Sequence, residues 1–184
     1  MATSGSTSVK VTDWDTLKFS WEIESQSIVN NTSTVKWKMQ LIATSDGRID
    51  SSASKDWSVT VNGTKYSGTN KITIGNNETI TLASGSTTIT HNTNGTKTFS
   101  YSFSQQFGIT FSGSSIGTKS GSGSGTLTTI ARKSSLSASN GTLGTAQTLT
   151  VSRHNSAFTH TITYVCGSSA GTIATKSNST SISW

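Results

Sequence analysis

Apolar and polar residues alternate with period two from Leu17 onward. Leu17, Phe19, Trp21 and Ile23 take one side and Lys18, Ser20, Glu22 and Glu24 the other, which predicts a half-buried β-strand. After a polar loop over 25–32, Val35, Trp37, Met39 and Leu41 repeat the pattern against Lys36, Lys38 and Gln40. The two acids of the first strand and the two lysines of the second fall on outer faces, where a cross-strand charge pair contributes about 0.2–1 kcal/mol. Trp57, Val59 and Val61 run into Asn62-Gly63, the dipeptide of a tight hairpin, so 64–67 is expected to return. Ile72 with Ile74, Ile80 with Leu82, and 87–91 each predict a further short strand. Asn94-Gly95 marks another tight turn, and Phe99, Tyr101 and Phe103 alternate after it. A last strand is expected over 125–130, preceded by a Ser/Gly stretch at 120–125. No segment carries a helical period.

This pattern predicts an all-β chain. Eight or more short antiparallel strands form an N-terminal β-sandwich or jelly roll over 1–131, with Trp21, Trp37 and Trp57 facing inward. The boundary falls at 131–133. Over 132–184, Leu149 and Val151, a polar turn at 154–157, and then Phe158, His160, Ile162, Tyr164 and Cys166 on one face resemble a hairpin of an immunoglobulin-like module. Ile182 and Trp184 begin one more strand. Four or five strands are fewer than the roughly seven of such a sandwich. The module is therefore expected to be partial, completed by further chain or by a second copy in a homo-oligomer.

Composition then separates folding from disorder. The hydrophobic fraction is 30% and the charged fraction 12%, a polar balance that also suits disordered chains, but five Trp and six Phe at alternating positions supply a core. Proline is absent, so turns rely on the 17 Gly and on Asn, Asp and Ser. The single Cys166 excludes an intramolecular disulfide and is expected to be a small core residue. Residues 1–12 lack the basic and apolar regions of a signal peptide, and no apolar run reaches membrane-spanning length. Synthesis in the cytoplasm without ordinary secretion, and with no membrane partner, is the expectation. The net charge of +6 is unevenly placed: all eight acids lie at or before Glu78 and are balanced there, so Lys97, Lys119, Arg132, Lys133, Arg153 and Lys176 carry the excess. These cations are scattered rather than clustered, which argues against a nucleic-acid partner.

Candidate chemistry is sparse. Sugar binding needs exposed aromatic faces beside hydrogen-bonding groups, and Trp14, Tyr66, Phe107 and Phe111 lie outside clean alternation, which makes them the ligand-binding candidates. Asp13-Trp14-Asp15 and Asp46 with Asp50 match no calcium loop, and paired acids alone do not define a glycosidase. His91, His154 and His160 are too separated for a metal motif, and no G-x-S-x-G elbow occurs. No enzyme, cofactor or metal is expected.

Several segments resemble a family of minor structural proteins encoded by phages of Gram-positive bacteria. They are Ser25-Gln26-Ser27 with Asn30-Asn31-Thr32-Ser33, the 57–67 hairpin, Thr90-His91-Asn92 with Asn94-Gly95-Thr96-Lys97-Thr98, and Thr128-Thr129-Ile130-Ala131-Arg132. The similarity extends into Ser135-Leu136-Ser137-Ala138-Ser139 and Ser152-Arg153-His154-Asn155, near the start of that family's repeated, Ig-like C-terminal part. The resemblance implies a virion protein of the tail or tail fibre with a role in host adhesion, and names no ligand; with the aromatic candidates above, the expectation is a chain partnered by other virion proteins that binds host cell-wall polysaccharide through a shallow site. The alternative it leaves is an architectural spacer or decoration module with no glycan ligand.

Overall fold

The alternating segments become long antiparallel strands in the computed structural model, which describes residues 3–51, 53–132, 134–138, 146–154, 158–166, 168–175 and 179–182. Strands β1 (Ser4–Lys10), β2 (Asp15–Ser27), β3 (Thr32–Ala43) and β8 (Thr79–Thr90) form one four-stranded sheet in the order β1-β2-β3-β8. A second sheet, in the order β10-β9-β5-β6, comprises β5 (Lys55–Val61), β6 (Thr64–Asn70), β9 (Thr98–Phe111) and β10 (Ser114–Thr126). The short strands β4 (Ile49–Asp50) and β7 (Thr73–Ile74) pair with each other. Every ladder is antiparallel, and the described residues contain no helix. The two four-stranded sheets make the expected antiparallel sandwich, with sequence neighbours β1, β2 and β3 paired as a meander.

One core joins the two sheets. Phe19 from the first lies 4.7 Å from Tyr101 and 5.4 Å from Phe103 of the second, and Trp21 meets Phe99 edge-on at 5.0 Å. Such aromatic pairs contribute about 0.5–1.5 kcal/mol beyond their buried area. Trp21 and Trp37 are buried, as their alternation predicts, whereas Trp57 is half-buried at the rim. Lys36 pairs with Glu24 at 2.6 Å, one step diagonal to its register partner Glu22, because a bulge between Ile23 and Ser25 shifts the ladder.

Two expectations for the sandwich are corrected. Ile80, Leu82 and 87–91 do not make two short strands: β8 is continuous, and a register shift opposite Met39 and Gln40 turns both Leu82 and Ala83 inward, which breaks the alternation. The Ser/Gly stretch does not precede the last strand of the sandwich but lies inside β10, while 127–130 is an irregular segment. The N-terminal strand β1 adds an edge that has only Val9 as an apolar inward residue.

The strandedness of β10 comes from what lies opposite each glycine. Gly121, Gly123 and Gly125 are the register partners of Phe103, Tyr101 and Phe99. The same pairing sets Gly5 against Trp21, Gly85 against Trp37, Gly68 against Trp57 and Gly171 against Tyr164. The rings lie over the glycines: a Cβ on Gly121 would meet Phe103 at 2.6 Å, and one on Gly125 would meet Trp21 at 2.5 Å. The glycines thus supply floor space for large rings, while the serines between them face solvent.

The second segment contains β11 (Ser135–Ala138), β12 (Gln147–Ser152) and β15 (Ser179–Ile182) in one sheet and β13 (His160–Cys166) with β14 (Ser169–Thr175) in another. The expected hairpin across 149–166 does not form, since β12 pairs with β11 and β15 while β13 pairs with β14. A separate small core of Leu149, Val151 and Ile162 forms here, with Tyr164 and Ile173 packed against it. The expected polar turn at 154–157, the Cys166 side chain, Lys133 and Trp184 lie wholly or partly outside the described residues.

The connection between the segments is stitched to one end of the sandwich. Leu127 N and Ile130 N donate to the carbonyls of Lys97 and Gly95, and Gln26 Nε2 donates to Thr128 O. Arg132 donates to Ile28 O and lies 4.8 Å over the Phe158 ring.

Candidate functional site

At the other end of the sandwich, the turn between β1 and β2 sets Trp14 beside the hairpin that joins β9 and β10. Thr12 Oγ1 accepts the Trp14 and Asp15 amides at 3.1 and 2.9 Å and donates to Asp15 Oδ2 at 2.6 Å. Thr44 N and Oγ1 both donate to Trp14 O, so the backbone of the turn is held from two sides. The facing hairpin turns on Ser112 and Gly113, with φ of 49° and 81°, the left-handed pair of a type I′ turn. This places Phe111 with its ring centroid 5.7 Å from that of Trp14, the two rings tilted by 52°.

Between and around these half-buried rings lies a cleft of about 550 Å³. Buried Val11 and Ile116 contribute to its lining, and Ser112, Ser114, Ser115, Lys10, Asp13 and Lys119 supply hydroxyls and charges. Lys10 Nζ pairs with Asp13 Oδ1 at 2.6 Å, and both side chains are mostly exposed, so the pair adds little stability. Tilted aromatic faces ringed by short polar groups suit a ligand with apolar CH faces and equatorial hydroxyls.

The structure unites two of the four candidates. Tyr66 sits elsewhere, 5.0 Å from Trp37, with its hydroxyl 3.0 Å from Ser86 O and 2.8 Å from Thr87 Oγ1; it seals the β6–β8 side of the sandwich. Phe107 is 0% exposed and belongs to the core, so its ring offers no face to a ligand. It continues the inward row of Phe99, Tyr101 and Phe103 through Gln105, which is itself buried and exchanges amide hydrogen bonds with Asn70. A polar residue inside that row is what hid the alternation. The serines at 112, 114 and 115 carry no signal in the sequence beyond the Ser112-Gly113 turn dipeptide, and Lys119 stands out there only as one of the unbalanced cations.

The remaining polar candidates serve local structure. Asp13 and Asp15 diverge, one in its exposed ion pair and the other 1% exposed under the turn. Asp50 accepts from Thr73 Oγ1 at 3.1 Å, beside the β4–β7 ladder. His91 Nδ1 lies 2.7 Å from Gly95 O, an acceptor, so it is the protonated nitrogen, and Nε2 accepts from Ser33 Oγ at 2.7 Å. Ser33 is 0% exposed and accepts from Gln26 Nε2, so this serine–histidine pair pins loops together and has no access to a substrate.

Sandwich, stitched junction and terminal cleft define an all-β protein of antiparallel sheets. Residues 16–184 match the siphovirus protein of unknown function family (DUF859), and the chain belongs to that family; it is a phage protein. No curated protein and no solved structure matches it.

Proposed function

We propose that this chain is a virion structural protein of the phage tail or tail fibre that attaches the particle to polysaccharide on the host surface, acting through surfaces rather than catalysis. The observation that carries this reading is where the Trp14–Phe111 cleft lies. Strand β9 starts beside the junction, where Leu127 N bonds Lys97 O, and ends at Phe111 in the cleft. Its 14 residues separate the two ends by about 45 Å. A ligand cleft at one end and a fastened second module at the other is the layout an attachment protein requires.

The test is binding of the fluorescently labelled chain to whole Gram-positive cells and to their purified wall polysaccharide. Saturable binding that is competed by sugar, and that falls at least tenfold in Trp14→Ala and Phe111→Ala, is the expected result. Each variant removes one stacked face, and about 1.5 kcal/mol for that face accounts for the factor. Unchanged binding in both variants would sink the assignment of the cleft.

A second reading, an architectural spacer bound only to other virion proteins, draws on exposed Leu136 and Val165 in the second module, 53% and 76% accessible. That reading predicts no binding to cells or wall polysaccharide, and co-purification with tail proteins that is lost in Leu136→Ser and Val165→Ser.

A further inference from the structure

We infer that the Trp14–Phe111 cleft takes an anionic saccharide, a sugar polymer bearing phosphate or carboxylate groups, and that Lys119 meets its negative charge. This rests on the attachment reading above and adds the ligand class. Along β10, Gly121, Gly123 and Gly125 form the inward row beneath the aromatic rings, and Lys119 is the next member of that row. Its register partner is Gln105, which is 0% exposed. A lysine at an inward position is unusual, because burying part of an ammonium-bearing side chain costs free energy unless its head reaches solvent or an anion. Lys119 is half-buried and lines the cleft.

The acid available to it there is already engaged. Among the described residues Asp13 is the sole carboxylate lining the cleft, and it is held by Lys10 at 2.6 Å. Lys119 makes no hydrogen bond or ion pair among the described residues, so the cleft carries an uncompensated positive charge beside two aromatic faces and three serines. The rings select a sugar, the serines accept or donate to its hydroxyls, and the ammonium selects those sugars that carry charge.

The experiment measures binding of the full chain to three immobilised probes, poly(glycerol phosphate), polygalacturonate and neutral dextran, at low and moderate salt. Wild type is expected to bind at least one anionic probe and not dextran; which anionic probe it binds separates phosphate from carboxylate recognition. Lys119→Gln should weaken that binding about tenfold, as loss of a charge-assisted hydrogen bond does, while Lys119→Arg retains it. Asp13→Asn should strengthen it about two- to threefold by releasing Lys10 from its partner, and the rescue by Lys119→Arg is the readout that a purely structural role for Lys119 would not give. Thermal unfolding of each variant confirms the fold. Equal binding of dextran, no binding of either anionic probe, or wild-type affinity in Lys119→Gln overturns the proposal. Loss of wall-polysaccharide binding in Trp14→Ala without any change in Lys119→Gln leaves the attachment reading standing and removes only the charge assignment; wild-type binding in Trp14→Ala removes both.

Discussion

At the scale of single residues, the glycines of this chain fall into grades that can be measured. Gly95 has φ of +81°, and a Cβ there would lie 1.6 Å from Ile130 O, so alanine would have to displace the backbone of the junction. Gly63 has φ of +83° with nothing within 4 Å, and Gly117 has open space without a positive φ. Chemical denaturation should therefore rank the alanine variants. Gly95→Ala is expected to lose about 2–4 kcal/mol, Gly63→Ala about 1 kcal/mol, and Gly117→Ala under about 0.5 kcal/mol. His91→Ala strands the hydroxyl proton of buried Ser33 and removes one of the two hydrogen bonds to the Gly95 carbonyl, which keeps only Ile130 N. A loss of about 2–4 kcal/mol in the same assay is expected, against little change if the network were ornamental.

At the scale of elements, the pairing of ring with glycine is a claim about coupling. Gly121→Ala pushes a methyl into Phe103 and Val9, and should cost about 1–3 kcal/mol by overpacking. Combining it with Phe103→Leu should cost less than the two separate losses added, and strict additivity in a double-mutant cycle would show that ring and glycine do not share the space. This pairing also explains what could be read from sequence. Strands that carry their own rings, at 17–23, 35–41, 57–61 and 99–103, announce themselves by period two. Their partners β1 and β10 supply chiefly glycine or a small residue opposite those rings, so their hydrophobic alternation is nearly silent although their backbone is equally regular. The bulge that turns Leu82 and Ala83 inward together, and the buried Gln105, interrupt the period in strands that are otherwise continuous. For the site, Trp14 and Phe111 were legible as aromatics beyond the alternation. That they meet was not, because their contact joins residues 97 positions apart through two turns.

At the scale of the whole molecule, Arg132 is the fastener between the sandwich and the second module, through Ile28 O on one side and the Phe158 ring on the other. Arg132→Ala should broaden the distance distribution between spin labels placed on the two modules, while the unfolding of the sandwich shifts by no more than about 1 kcal/mol. An unchanged distribution would assign the junction to the Leu127 and Ile130 backbone bonds and the Gln26–Thr128 bond. The separation of cleft and junction along β9 and β10 has a mechanical corollary. On the attachment reading proposed above, a particle tugged away from a cell would load the sandwich from the β9–β10 hairpin at one end to the exit of β10 at the other, with the pull parallel to the strands. That pull runs along the backbone of β10, which is tied to β9 at Ser112-Gly113, so their ladder, paired from Ser114 with Phe111 through Thr126 with Thr98, is loaded along the strands and its hydrogen bonds are not opened one after another like a zip.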